Sequence, residues 1–382
     1  MLYATAMYSL AHRFNVPLIG ILFGILSVYE HALGGFVLPS HEYTWEMEAT
    51  VGHNLSFWQR LRNFLTMWRH LYVTYYGLLF RQQAIAEKYM GKDLPPMLDI
   101  LKNTSLIFVD EPRGLTPPRP KLANMITFSS SHISGSPDLK KFMDTATERL
   151  IYFSLGGNAM SSDLPKEVQQ IFIDVFAKLP YKVVWKYDKE LKNKPDNVYT
   201  GKWLPQQNIL AHSNIKLFLY QGGLQSTEET IHFTVPVIVF PVLADQDYQA
   251  ARVEAAGIGK RLDLLTLPRE DLLLAIREIV TNKQCREKMI EVKNIVNDHP
   301  DDFVEQLAWW TEYVIRHNGA PHLRSNLAWQ PWYKLGDMDI VVFLTIVLII
   351  IASFLIKIIV KLTMFTIQQL QANSAGQKQK TS

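Results

Sequence analysis

Residues 203–246 constrain the fold more than any other stretch. They read WLPQQNILAHSNIKLFLYQGGLQSTEETIHFTVPVIVFPVLADQ. A mostly apolar run from Ile215 to Tyr220 has turn-forming residues on both sides, and reads as a buried strand. Gln221-Gly222-Gly223 follows, and Ser226-Thr227-Glu228-Glu229 opens a helical stretch. A second apolar run, residues 237–240, ends at Pro241. Strand, glycine turn, helix and strand make a parallel βαβ unit, so the chain is expected to be an α/β protein.

The same residues suggest a ligand. A glycine turn ahead of a helix lets backbone N–H groups approach a phosphate, and the helix dipole favours its charge. Ser226 adds a hydroxyl. Glu229 is an acceptor suited to vicinal hydroxyls, as on a ribose. Asp245 and Gln246 lie just past the second strand, where open α/β sheets place ligand groups. Trp203 offers a flat face to a base. Singly these signals are weak, because a glycine pair is most often only a turn. Together they suit a nucleotide carrying a second polyhydroxylated group.

The ordered string resembles the signature of the UDP-glycosyltransferases: W-x-P-Q, then H-G-G-x-x-S-x-x-E, then P-x-x-x-D-Q. The resemblance implies that Trp203 stacks on uracil and that Gln206 bonds its edge or the ribose. Gln221, Gly222, Gly223, Gln225 and Ser226 would line the diphosphate. Glu229 would hold the ribose, and Asp245 and Gln246 the sugar hydroxyls. Residues 150–157, LIYFSLGG, resemble the family's F-S-L-G-S, which places Ser154 and Gly156 beside the donor phosphates. That loop is not G-x-G-x-x-G, so a dinucleotide oxidoreductase is disfavoured. Two departures stand out. The family's His before Gly-Gly is Gln221, whose amide donates an N–H but carries no charge. The family's Gly before Val-Pro is Thr234.

The fold implied is GT-B, two facing Rossmann-like domains with the first incomplete, plus one C-terminal transmembrane helix. The expected division is a partial acceptor-side domain (1–137), a UDP-sugar-binding domain (138–325), a juxtamembrane stretch (326–339), a membrane helix (340–360) and a cytosolic tail (361–382). The implied reaction moves a hexosyl group from a UDP-sugar to a small lipophilic acceptor with inversion, as in detoxifying conjugation, without a metal or other cofactor. The family's catalytic His and the Asp that orients it are expected upstream of residue 1, so no catalytic residue is assigned. The alternative is a catalytically impaired protein that binds a UDP-sugar or a partner. The membrane and a homo- or hetero-oligomeric partner are also expected.

Composition narrows the rest. A formal charge of +3 over 382 residues gives no basis for a nucleic-acid partner. The single cysteine, Cys285, has no disulfide partner within the chain and reads as a plain helix residue. Before residue 15 an amphipathic helix is expected, and over residues 16–28 a buried strand and a loop. Residues 35–99 should be mostly helical, with Trp58, Leu61, Phe64, Leu65, Trp68 and Leu71 forming a core-facing side. Strands are expected at 104–109 and 182–187, a helix at 168–178 and two more within 266–297. Residues 113–121 read as a loop and 129–138 as a linker. The stretch 309–324 resembles the family's last helix, which crosses back to brace the first domain.

Residues 340–356 are apolar apart from Thr345 and Ser353, and a helix over them spans about 26 Å. Lys357, Lys361, Lys378 and Lys380 lie within or after its end, which favours a cytosolic tail and a luminal globular part. The last five residues resemble the K-x-K-x-x retrieval signal of endoplasmic-reticulum membrane proteins. Asn54-Leu55-Ser56 and Asn103-Thr104-Ser105 are glycosylation sequons.

Overall fold

The computed structural model describes residues 2–24, 26–40, 55–112, 114–116, 121–130, 149–299 and 302–380, with the side chains of 2–4, 365 and 368–380 left aside. Two parallel sheets carry residues 1–328, which form one compact unit, and residues 329–382 form a second unit. Residues 131–138 of the expected linker, with the 137/138 boundary, Asn54 and residues 113 and 117–120 of the expected loop, fall outside the described residues.

The larger sheet contains β4 (Leu150–Ser154), β5 (Lys182–Lys186), β6 (Val198–Gly201), β7 (Ile215–Tyr220), β8 (Val237–Val239) and β9 (Gly259–Arg261). Their order is β6-β5-β4-β7-β8-β9, every neighbour pair parallel. Alternate strand residues point into two different cores. Ile151, Phe153, Val183, Trp185, Leu217 and Leu219 pack with the helices Lys166–Ala177 and Arg269–Thr281. Leu150, Tyr152, Val184, Phe218 and Tyr220 pack with Ile231, Ala250, Val253, Met289 and Val292 on the opposite face. Both faces are covered, which is why these strands read as nearly continuous apolar runs. Cys285 is buried at the margin of the first of these cores, and burial pushes its thiol up to about 11.

The smaller sheet is β1 (Ile19–Leu22), β2 (Leu106–Asp110) and β3 (Met125–Phe128), in that order and parallel. One face is closed by the late helix Phe303–Arg316, whose Phe303, Leu307, Trp310, Tyr313 and Val314 pack on Leu106, Phe108, Ile126 and Phe128. The expected bracing helix is therefore present. The strand within residues 16–28 is also present, but it is an edge strand: Ile21 is 53% exposed, where a buried strand was expected.

A clearer correction concerns residues 57–90. They form the helices Phe57–Tyr72 and Leu79–Met90 joined by a π-helical turn, Val73–Leu78. The side expected to face the core is mostly solvent-exposed, Trp58 reaching 73%. In the first helix and the turn the buried positions are Asn63, Met67, Leu71 and Thr74, spaced four, four and three residues apart. The apolar face covers about half of the helix Phe57–Tyr72, and the protein buries only one margin of it, at Met67 and Leu71, together with the adjoining Asn63.

In the second unit, a helix runs from Met338 to Lys380, 43 residues. Its segment Met338–Met364 is, among the described residues, the one helix long and apolar enough to cross a membrane, and none of it is buried.

Candidate functional site

In the larger sheet the chain moves from β4 outward to β5 and β6, then returns to β7 on the other side of β4. The loops after β4 and β7 therefore diverge from one crevice at the C-terminal ends of the strands, where open α/β sheets bind ligands. Ser154 pairs with Tyr220 in register, and Tyr220 with Val239, so all three loops begin at one level.

The β4 loop is short and tight. Gly156 has φ +76, and its N–H donates to Ser154 Oγ at 3.2 Å. A Cβ at Gly156 would lie 2.1 Å from Gln221 Nε2, so the Gln221 side chain is packed directly against this glycine. Gly222 has φ +94, and a Cβ there would meet Val239 Cγ1 at 2.8 Å and the Gln246 carbonyl oxygen at 3.2 Å. Left-handed backbone and close approach both require glycine here. Gly223 is the N-cap of the helix Leu224–Phe233, and no side chain caps it. Its first N–H groups thus remain directed at the crevice. The helix is anchored by Thr227, whose Oγ1 lies 2.7 Å from the Tyr220 hydroxyl and donates to the Gly223 carbonyl at 3.0 Å. It ends at Thr234, φ +56, the position where the family pattern carries Gly. A threonine in that conformation costs about 1–2 kcal/mol.

Three expected site residues are hydrogen-bonded together. Gln206 Nε2 donates to Ser226 Oγ at 2.9 Å and to Glu229 Oε2 at 2.6 Å. Gln207 donates to Glu229 Oε1 at 3.0 Å, a contact that sequence reading missed. Trp203 lies beside this cluster in sequence and is 79% exposed. Gln225 is exposed on the first turn of the helix. Asp245 is half-buried and accepts weakly from Gln249 at 3.4 Å. Gln246 is more committed: its Oε1 accepts from the Val242 and Leu243 N–H groups at 2.9 and 3.0 Å, which leaves only its amide nitrogen for a ligand.

Two further groups were not singled out from sequence. Lys186, at the end of β5, donates from Nζ to the Gly156 carbonyl at 2.7 Å and lies 4.6 Å above the Trp203 ring. Burial pushes its pKa down, with Asp188 opposing. Glu228 points away from the crevice toward the smaller sheet. Its carboxyl hydrogen-bonds that of Asp110, at the end of β2, and accepts from the Ser130 N–H at 3.1 Å. Burial, reinforced by Asp110, pushes Glu228 up to about 9, so this pair holds a proton at neutral pH. Nearby, buried Arg252 donates to the Leu115 carbonyl at 2.7 Å and to Thr116 Oγ1 at 2.6 Å, tying the larger sheet's helices to the β2 loop.

The sequence pattern of one family, described as "UDP-glucoronosyl and UDP-glucosyl transferase", matches residues 3–373. UDP-glucosyltransferase 2 of Dactylopius coccus is 34% identical over 360 residues, 92% of this chain and 69% of that protein. UDP-glucuronosyltransferase 2B16 of Oryctolagus cuniculus is 29% identical over 361 residues, 91% of this chain and 67% of that protein. Among solved structures, the glycosyltransferase VinC in complex with DTDP superposes with a TM-score of 0.54 at 14% identity, covering 80% of this chain and 68% of that one. The shared architecture is GT-B, with its paired parallel sheets. On the match along nearly its whole length, the chain belongs to the UDP-glucuronosyl- and UDP-glucosyltransferase family.

Proposed function

We propose that this chain binds the nucleotide-sugar donor of a hexosyl transfer in the crevice between the β4 and β7 loops. The observation that carries the reading is the convergence, at the point where strand order reverses, of an uncapped helix N-terminus with the bonded Gln206–Ser226–Glu229 cluster. In this reading uracil stacks on Trp203, Glu229 takes the ribose hydroxyls, and the turn Gln221-Gly222-Gly223 takes the diphosphate. Asp245 and the Gln246 amide hold the sugar. The DTDP held by VinC, on the same fold, supports a pyrimidine nucleotide diphosphate as the ligand class.

The acceptor is a small lipophilic molecule whose hydroxyl gives its proton to a general base as its oxygen attacks the anomeric carbon. UDP leaves, with inversion, and the helix N-terminus stabilises the departing charge. The reaction runs without a metal or cofactor and serves conjugation of lipophilic compounds. Residues 340–360 anchor the chain in the endoplasmic-reticulum membrane, with the globular part luminal and the tail cytosolic. Of the two sequons, Asn103 is exposed, its Oδ1 accepting from Arg324 at 2.8 Å.

Calorimetry of the full chain in detergent tests the donor site: UDP binds in the micromolar to millimolar range, and no heat at millimolar UDP overturns the reading. Chelation with EDTA leaves binding unchanged. Gln221 in place of a titratable His favours weak turnover, so UDP binding without transfer to any of several phenols would support the binding-only alternative.

A further inference from the structure

Lys186 stands between the two parts of the proposed donor site. It is the last residue of β5, beside β4 in the sheet. Its ammonium reaches the Gly156 carbonyl on one side and the face of Trp203 on the other, at 2.7 and 4.6 Å. On the far side of Gly156 sits the Gln221 amide, which also lies against Gly223: a Cβ built there would be 3.4 Å from Gln221 Nε2. Base platform, lysine, glycine loop, glutamine and helix N-terminus thus form one continuous row.

Charge along that row is unevenly supplied. A diphosphate brings at least two negative charges, and a helix N-terminus offers only about half of one positive charge. Gln221 offers none. Arg252, the cation packed near the same helix, is spent elsewhere on the Leu115 carbonyl, Thr116 and Gln249. Lys186 differs, because the hydrogen-bonding and ring partners of its ammonium are a carbonyl and an indole, both neutral. The nearby carboxylate, Asp188, is engaged by the Ser162 hydroxyl at 2.6 Å and the Ser162 N–H at 3.3 Å. An ammonium held by neutral groups keeps its charge for an incoming anion, and lysine is a common point-charge ligand for phosphate.

We propose that Lys186 is a donor-binding residue whose ammonium meets the diphosphate of the nucleotide sugar, supplying the positive charge that Gln221 cannot. This assignment rests on the donor-site reading above. It also gives Lys186 a second task, holding the Trp203 indole in place by its cation–π contact. The two tasks are separable, because uridine offers a base and a ribose without phosphate.

The experiment titrates UDP and uridine, separately, against the full chain in detergent. Lys186→Met weakens UDP by about 10–100-fold, the loss of one charge-assisted hydrogen bond, and changes uridine by less than about 3-fold. Lys186→Arg keeps UDP affinity within about 3-fold, because the charge is retained. Gln221→His gains more UDP affinity in the Lys186→Met background than in the wild type, because the two positions then share one function. Equal weakening of UDP and uridine overturns the proposal, since Lys186 would then serve only the base platform. UDP affinity indifferent to Lys186→Met overturns it as well. A wild-type chain that binds neither compound overturns the donor reading itself, and this assignment with it.

Discussion

The two sheets solve the same packing problem differently. In the six-stranded sheet both faces are covered by helices from its own stretch of chain, and Ile151, Phe153, Val183, Trp185, Leu217 and Phe218 are fully buried. In the three-stranded sheet the covering helix on one face comes from residues 303–316, and the edge strand β1 leaves Ile21 and neighbouring Phe23 in solvent. The first arrangement is assembled from contacts near in sequence, the second from contacts far apart. The proposed donor site belongs wholly to the self-sufficient half, and Glu228 and Arg252 help tie that half to the other.

The contrast breaks most visibly at Phe153. Its ring stacks on Phe172 at 4.5 Å and lies 5.2 Å from Trp185. Phe153→Ala is expected to cost about 3–5 kcal/mol in denaturant unfolding, the usual range for a buried aromatic. Less than about 1 kcal/mol would mean that the six-stranded half is packed more loosely than its burial implies.

Glu229→Ala comes next. Buried Glu229 accepts from both Gln206 and Gln207, and its loss is expected to weaken UDP by about 1–3 kcal/mol. Unchanged UDP affinity in calorimetry would remove Glu229 from the ligand and leave it a structural role only.

Glu228 probes the seam between the halves. An ordinary glutamate titrates near 4.5, and here burial and Asp110 raise it to about 9. The unfolded chain therefore ionises first as pH rises, and wild-type stability declines across that window. Glu228→Gln removes this cost while still offering an N–H to Asp110. Its melting temperature should match wild type near pH 5 and exceed it near pH 8, with the gap widening as pH rises between the two. A gap that is constant with pH would show that the carboxyl pair does not share a proton.

The smallest effect is expected at the open edge. Ile21→Ala should change stability by no more than about 0.5 kcal/mol, as at exposed positions generally. A loss comparable to that of Phe153→Ala would mean that β1 is buried in solution, and the comparison would fail there.

What could be read from sequence follows the same division. β4, β7 and β8 were legible because burial on both faces makes a strand an apolar run. β6, Val-Tyr-Thr-Gly, lies at the sheet's edge and carried too little apolar character to be seen. The stripe from Trp58 to Leu71 was read as a core face because its spacing is helical, but the protein buries a neighbouring side through Asn63, Met67 and Thr74. At the proposed site, the residues inside the family string were named one by one from the resemblance alone. Lys186 was missed because its role depends on Trp203 and Gly156 meeting it from different loops. Glu228 was missed because the partner that changes its chemistry, Asp110, lies on a strand of the other sheet.

The helix Phe303–Arg316 has a consequence for taking the molecule apart. The polypeptide leaves the smaller sheet, builds the larger one, and returns to lay Phe303, Leu307, Trp310 and Tyr313 on the sheet it left. The two halves are thus stitched at both ends of the later one. A protease nick between residues 130 and 149 would sever the covalent connection without releasing a fragment, and the pieces should co-elute until denatured. Excising the later half as a separate protein would strip that helix of its bed and expose a row of aromatic rings. Such a fragment would tend to self-associate, however complete its own sheet.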